Sequence, residues 1–240
     1  YQDFIPATMP DGQGQTGSFS LLSAQRIEVL RGPFSTLYGN ASGGVISVFT
    51  EDPALVPTVG FTANIGSYRT LNAGLIASGT ADGVGYLVAG NHFDTDGFRA
   101  HSAASRDVVN AKIVFKVAAA TNVTVIGSSQ HQPDSQDPLG LTQAQWDADP
   151  RQADAVTDLF NTRKTVNQLQ GGVAIEHTLA PDTSMRVTGY GGQRQIGQYL
   201  ALSGIGATSS GGVVNLDRDY GGIGARLIWN DRPHAALAGI

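Results

Sequence analysis

From residue 58 to residue 230 the chain repeatedly alternates apolar with polar or small positions at a period of two. That period predicts β-strands near 58–66, 69–79, 84–95, 107–118, 122–132, 165–178, 184–199 and 215–230. In the fourth run Ala111, Ile113, Phe115 and Val117 share one face, with Asn110, Lys112 and Lys116 on the other. In the seventh, Met185 and Val187 alternate with Arg186, Thr188 and Tyr190; in the eighth, Ile223, Ala225, Leu227 and Trp229 alternate with Gly222, Gly224 and Arg226. Most runs reach or exceed the ~9–11 residues that a tilted strand needs to cross a bilayer. A soluble sandwich shows similar alternation, but it buries its second face as a dry core. Here Lys and Arg recur on the polar face, which suits a wet or filled lumen.

The links between these runs alternate in length. Residues 79–83, 118–122 and 179–183 are short connections, whereas 96–106, 133–164 and 200–214 are long. Outer-membrane barrels combine short periplasmic turns with longer outer loops. On that reading 66–69 is a short first outer loop and the chain enters the wall from the periplasmic side. The longest loop contains Thr142, placed to cap a short helix that Pro150 stops. Loops of this length are often functional.

Before residue 58 the pattern is different. Residues 9–17 are rich in Gly and polar side chains and read as loop. Gly12, Gly14 and Gly17 satisfy G-x-G-x-x-G, but no βαβ unit follows, so a dinucleotide site is set aside. Next comes a strand with Ile27, Val29 and Leu30, ended by Gly32 and Pro33. Ser35 to Tyr38 is long enough for one helical turn, which Gly39 is suited to close. Gly43 and Gly44 allow a close backbone approach before Val45, Ile46 and Val48 resume β character.

This stretch resembles the end of the plug domain of TonB-dependent outer-membrane receptors, with the pattern ER-I-EVLRGP-x-x-x-LYG-x-x-x-GGVI-x-x-x-T. Arg26, Ile27, Glu28, Val29, Leu30, Arg31, Gly32, Pro33, Leu37, Tyr38, Gly39, Gly43, Gly44, Val45, Ile46 and Thr50 stand in register with it. Gln25 replaces the usual acidic residue. Upstream, Phe4 stands where the related Asp-Gly-Ile-Pro pattern has glycine, which counts against a tight turn there.

The resemblance implies an all-β fold with a small α/β plug portion. It comprises a partial antiparallel transmembrane β-barrel, about eight of about 22 strands, plus the C-terminal part of a plug. Residues 1–53 are then plug and 54–240 the beginning of the wall, an internal piece of a longer protein. An open piece of this kind leaves bare strand edges and is not expected to insert alone. The implied function is energised uptake across the bacterial outer membrane, most often of a ferric siderophore, with no enzymatic step and no resident cofactor or metal. The cargo is an iron chelate, and the partner is a TonB-type energy-transducing protein reached through an upstream segment. Vitamin B12 or a glycan are other ligands of such receptors; a passive porin, an adhesin barrel and a soluble β-sandwich are the alternatives from other classes. The resemblance places Arg26, Glu28 and Arg31 against the barrel wall from one face of the plug strand, with Arg31 favoured. Met9, Asp11, Gln13 and Gln15 lie where a plug apex meets its ligand.

Composition agrees. Charged residues make up 15% and glycine 31 of 240 positions, against roughly 25% and about 7% in ordinary proteins. A net charge of −5 and no basic run argue against nucleic acid. Without cysteine there is neither disulfide nor thiolate metal site. No apolar run is long enough for a transmembrane helix, which says nothing against a barrel. His131, Asp134 and Asp137 form a poor metal template. Asp94 and Asp96 begin a calcium-like loop that lacks its later glycine and glutamate. Asn40 and Asn122 match glycosylation sequons, irrelevant to a bacterial surface.

Overall fold

The computed structural model describes residues 1–7, 16–33, 38, 41–201, 211–230 and 235–239. Two sheets account for it. A hairpin pairs β1 (Ala24–Arg31) with β2 (Gly44–Thr50). A nine-stranded antiparallel meander follows in sequence order: β3 (Thr58–Gly66), β4 (Thr70–Ala81), β5 (Val84–Thr95), β6 (Ala104–Ala118), β7 (Thr121–Ser135), β8 (Arg163–Ala180), β9 (Thr183–Leu200), β10 (Gly212–Asn230) and β11 (Ala235–Gly239). The sheet is open, with β3 and β11 at its edges. It is the wall of a partial β-barrel.

All eight runs read from the period-two pattern are strands, several of them longer than predicted, and β11 is a ninth. β8, β9 and β10 reach 18, 18 and 19 residues, so they rise well past the length that hydrocarbon requires. The links at one end are two-residue turns, at 82–83, 119–120 and 181–182. In the first, Asp82 and Gly83 both take positive φ (51° and 78°), as a tight hairpin turn demands. At the other end lie 67–69 and the long links 96–103, 136–162 and 201–211.

Register and parity assign each wall residue a face. Asn110 and Lys112 reach residues 1–53 by hydrogen bonds, so even positions of β6 point inward. The ladders carry that assignment through Ser128, Gln170, Gly192 and Tyr220. The outward face is apolar near the short turns. Val59, Phe61 and Ile223 are 71–91% exposed. Farther up it turns polar along one row of cross-strand neighbours, His92, Asp107, His131, Asn167, Gln195 and Asp217. Within the row His92 Nδ1 meets Asp107 Oδ1 at 2.7 Å and His131 Nδ1 meets Asn167 Oδ1 at 2.6 Å.

The long loops are ordered against each other. Thr142 and Gln145 close a capping box on α1 (Gln143–Ala148), as the sequence predicts. A second short helix, α2 (Val156–Phe160), ends on Asn161 at φ 46° and has no counterpart in the sequence reading. Arg99 staples the two loops: its Nε, Nη1 and Nη2 donate to the carbonyls of Gln152, Leu139 and Pro138 at 2.9, 2.6 and 3.0 Å.

Candidate functional site

Residues 1–7, 16–33, 38 and 41–53 sit against the inward face of the wall, and the contact between them is the site of interest. It begins with a turn. Gln2 and Ile5 exchange backbone hydrogen bonds at 3.0 and 2.9 Å, and Asp3 takes φ 50°. The tight turn therefore forms despite Phe4, because Asp3 supplies the left-handed residue, which Asp tolerates better than most. The Asp3 carboxylate then accepts from the Thr50 N–H at 3.0 Å and from its hydroxyl at 2.9 Å. This fastens the turn to the end of β2. Phe4 is left free to project at the wall. A Cβ on Gly172 would lie 2.7 Å from its ring, and the Arg186 guanidinium lies 5.6 Å from the ring centroid.

β6 makes the polar half of the contact. Gln2 Nε2 donates to Asn110 Oδ1 at 2.8 Å, and Asn110 Nδ2 donates to Ser23 Oγ at 3.1 Å. All three residues are buried, so each partner satisfies a group that would otherwise be stranded. Two residues along, Lys112 Nζ donates to the carbonyls of Thr50 and Glu51 at 3.2 and 3.1 Å and to Asp52 Oδ1 at 3.0 Å. One buried ammonium thus holds the last residue of β2 and the two that follow it. Pro53 is wedged beside Gly85, where a Cβ would stand 2.8 Å from the ring. Leu22 occupies the space that a Cβ on Gly74 would claim, at 2.7 Å. Tyr1 stacks edge-on with Tyr38 at 5.4 Å and donates its hydroxyl to the Tyr38 carbonyl at 2.5 Å. Burial pushes the Tyr1 phenol above the usual tyrosine range, so it stays a donor. Near the short turns the two parts leave a cavity of about 520 Å³, whose lining includes Asp3, Phe4, Arg26, Lys112, Glu176 and Arg186.

The residues singled out in the sequence divide on this frame. Arg26 Nε bonds Glu28 Oε1 at 2.8 Å, and its guanidinium lies 3.8 Å from the ring centroid of its cross-strand partner Phe49. Arg31 is not on their face. β1 runs without a bulge from Arg26 to Arg31, so the pleat sends 26 and 28 one way and 31 the other, with Ile27 and Val29. Arg31 is exposed and forms no ion pair among the described residues. Gly32 takes φ 115° and Gly44 φ 142°. A Cβ at Gly44 would stand 2.6 Å from the Leu30 carbonyl oxygen, whereas Gly43 has nothing within 4 Å; the close approach belongs to Gly44 alone. Tyr38 is placed, with the Arg226 guanidinium 6.0 Å from its ring centroid. Gly39, the rest of the helical turn before it, and Met9, Asp11, Gln13 and Gln15 lie outside the described residues. Lys112, Asn110 and Arg99, none of them proposed as a site residue from the sequence, carry much of the geometry. The inward placement of Asn110 and Lys112 was visible in the pattern; their partners were not.

No family model matches the sequence. Solved structures do match. The chain superposes on the unliganded ferric citrate transporter FecA with a TM-score of 0.73, at 21% identity over 99% of this chain and 36% of that one. Against the open form of the ferric-catecholate import receptor Fiu from E. coli K12 the TM-score is 0.66, at 16% identity over 86% of this chain and 36% of that one. For the siderophore receptor PiuA from Acinetobacter baumannii it is 0.64, at 11% identity over 90% and 33%. The chain has the fold of the TonB-dependent siderophore receptors. It spans about a third of the length of those three structures. Within that fold Lys112 sits where the β1–β2 hairpin gives way to the nine-stranded sheet.

Proposed function

We propose that this chain is the plug-to-wall portion of an outer-membrane receptor that takes up a ferric siderophore with energy from a TonB-type partner. On this reading residues 1–53 are plug and 54–240 wall, the exposed apolar band meets lipid, and the long loops face outward. The protein carries cargo, does no covalent chemistry and needs no resident cofactor.

The observation that supports the reading best is the polar latch on β6. A passive pore has no use for a segment fastened into its lumen. Here the lumen-facing Asn110 and Lys112 hold that segment at both ends, through Gln2 and through residues 50–52.

The test is uptake of radiolabelled ferric siderophore by cells whose sole such receptor is the full-length protein. The reading predicts uptake that saturates and is abolished when the energy-transducing partner is deleted. Uptake that is linear in concentration and survives that deletion would make the protein a passive pore.

A further inference from the structure

We propose that the outward face of β7 to β10, just above the lipid-facing apolar band, holds a binding site for the uncharged sugar headgroup of a glycolipid. The inference concerns a ligand other than the cargo and rests only on the membrane placement of the wall in the receptor reading.

The wall rises past the hydrocarbon. Asn167 of β8 pairs with Gln195 of β9, some thirteen residues up from the 181–182 turn, on the order of 33 Å at a strand rise of ~3.3 Å and a barrel tilt of ~40°. The apolar band of an outer-membrane barrel is only about 25 Å tall. The outward face changes character at that height. Leu169, Val173 and Ile175 are exposed below it. One step above Leu169 the face is polar, and two cavities open there. The larger, of about 510 Å³, has Thr165, Asn167, Gln195, Gly197, Asn215 and Asp217 in its lining. The smaller, of about 240 Å³, adds Ser129, His131, Leu169 and Gln193. The two meet at Asn167 and Gln195, and strand parity turns all of these residues outward. Gly197 keeps the larger one open, since a Cβ there would stand 2.8 Å from Thr165 Oγ1.

The lining is amide and hydroxyl with few cations. Asn167 Oδ1 accepts from His131 Nδ1 at 2.6 Å, while its own amide N–H groups have no partner among the described residues. Gln195 and Gln193 donate to the two carboxylate oxygens of Asp217 at 3.1 and 3.5 Å, and their Oε1 atoms are unpaired among the described residues. Open donors and open acceptors thus stand side by side. Sugar hydroxyls, each a donor and an acceptor at once, match that arrangement. A phosphate does not. Asp217 and Asp219 face outward and repel it. Among the described residues of β7 to β10, Arg163 is the one outward arginine or lysine, and its guanidinium lies 3.8 Å from the ring centroid of Tyr199. Arg186, Arg194 and Arg218 take the opposite face. The apolar band directly beneath decides what carries the sugar. A sugar joined to acyl chains covers the polar cavities and Leu169 together, whereas a free sugar leaves Leu169, 67% exposed, uncovered.

The experiment is a titration followed by native mass spectrometry on the full-length protein, purified in a detergent that carries no sugar. Three probes share the same acyl chains: diglucosyl diacylglycerol, phosphatidylethanolamine and phosphatidylglycerol. Maltose is the fourth. The glycolipid is expected to bind at least about tenfold tighter than either phospholipid or maltose, as a few added hydrogen bonds imply. Asn167→Leu and Gln195→Leu, both at exposed positions, should each weaken glycolipid binding by about three- to tenfold, as loss of one or two hydrogen bonds implies. Phospholipid binding should not change, and circular dichroism should show the wall intact. A phospholipid bound as tightly as the glycolipid, or folded leucine variants that bind the glycolipid unchanged, would overturn the proposal. Maltose bound as tightly as the glycolipid would overturn the assignment to a lipid-linked sugar. Each of these results leaves cargo uptake and the receptor reading standing. Binding of no lipid at all would overturn the membrane placement of the wall and this proposal with it.

Discussion

Lys112 gives the sharpest prediction about how the plug is held. Substituting it with Met keeps the length of the stem and removes the three donors. Two of its acceptors are main-chain carbonyls, at 3.2 and 3.1 Å, and Thr50 is only 5% exposed. The third, Asp52, has 81% of its side chain in solvent, so that pair is screened and worth ~0–1 kcal/mol. Hydrogen bonds to a charged donor are worth ~1.5–3 kcal/mol each. Part of that is regained because the variant no longer buries an ammonium. The net loss should be about 2–4 kcal/mol, felt by the plug–wall contact and not by the wall ladders. Ser47→Cys supplies the reporter, because Ser47 is 4% exposed and sits in β2. Its maleimide labelling against urea on the full-length protein reads plug release. With a urea dependence of ~1–3 kcal/mol per molar, Lys112→Met should lower the labelling midpoint by about 1–3 M, while the strand signal in circular dichroism stays put. Asp52→Asn should shift it by well under 1 M, in keeping with the screened pair. An unchanged midpoint in Lys112→Met would refute the latch. An equal fall in Asp52→Asn would show that the ion pair, and not the carbonyls, does the holding.

Three further outcomes follow from the same geometry. Asn110→Ala strands buried Gln2 and Ser23 and should cost about 1–3 kcal/mol in the same labelling assay; no loss there would exclude the β6 latch at its other end. Gly85→Ala sets a Cβ 2.8 Å from the rigid Pro53 ring and should displace the plug exit at a cost of about 1–3 kcal/mol, seen as faster proteolysis near residue 53. Arg99→Ala removes three bonds between the outer loops, so limited proteolysis within 136–162 should accelerate severalfold with the wall untouched; an unchanged cleavage rate would mean the loops hold without the staple.

The wall was legible because its two faces have different surroundings. Val59, Phe61, Ile113, Val173 and Ile223 point outward and Asn110, Lys112, Gln168 and Arg194 inward, so period two survives over strands of up to 19 residues. β11 escaped because Ala235, Ala236, Leu237, Ala238 and Gly239 carry almost no polar contrast. The plug motif gave β1 and β2, but setting Arg31 on the face of Arg26 and Glu28 overlooked the parity of an unbroken strand. The latch was hidden for another reason. Lys112 meets residues about sixty positions earlier, and its acceptors are main-chain carbonyls, which no sequence pattern marks. The tight turn at Asp3 was open to doubt in the sequence, because the signal sought was glycine and the residue that serves is an aspartate one position earlier.

The central claim is that residues 1–53 block a lumen bounded by the wall. Single-channel recording on the full-length protein in planar bilayers tests it most directly. The account predicts no steady conductance from the intact protein and a large, persistent conductance once the plug is deleted or released by urea. A steady open conductance from the intact protein, unchanged by removing the plug, would contradict it.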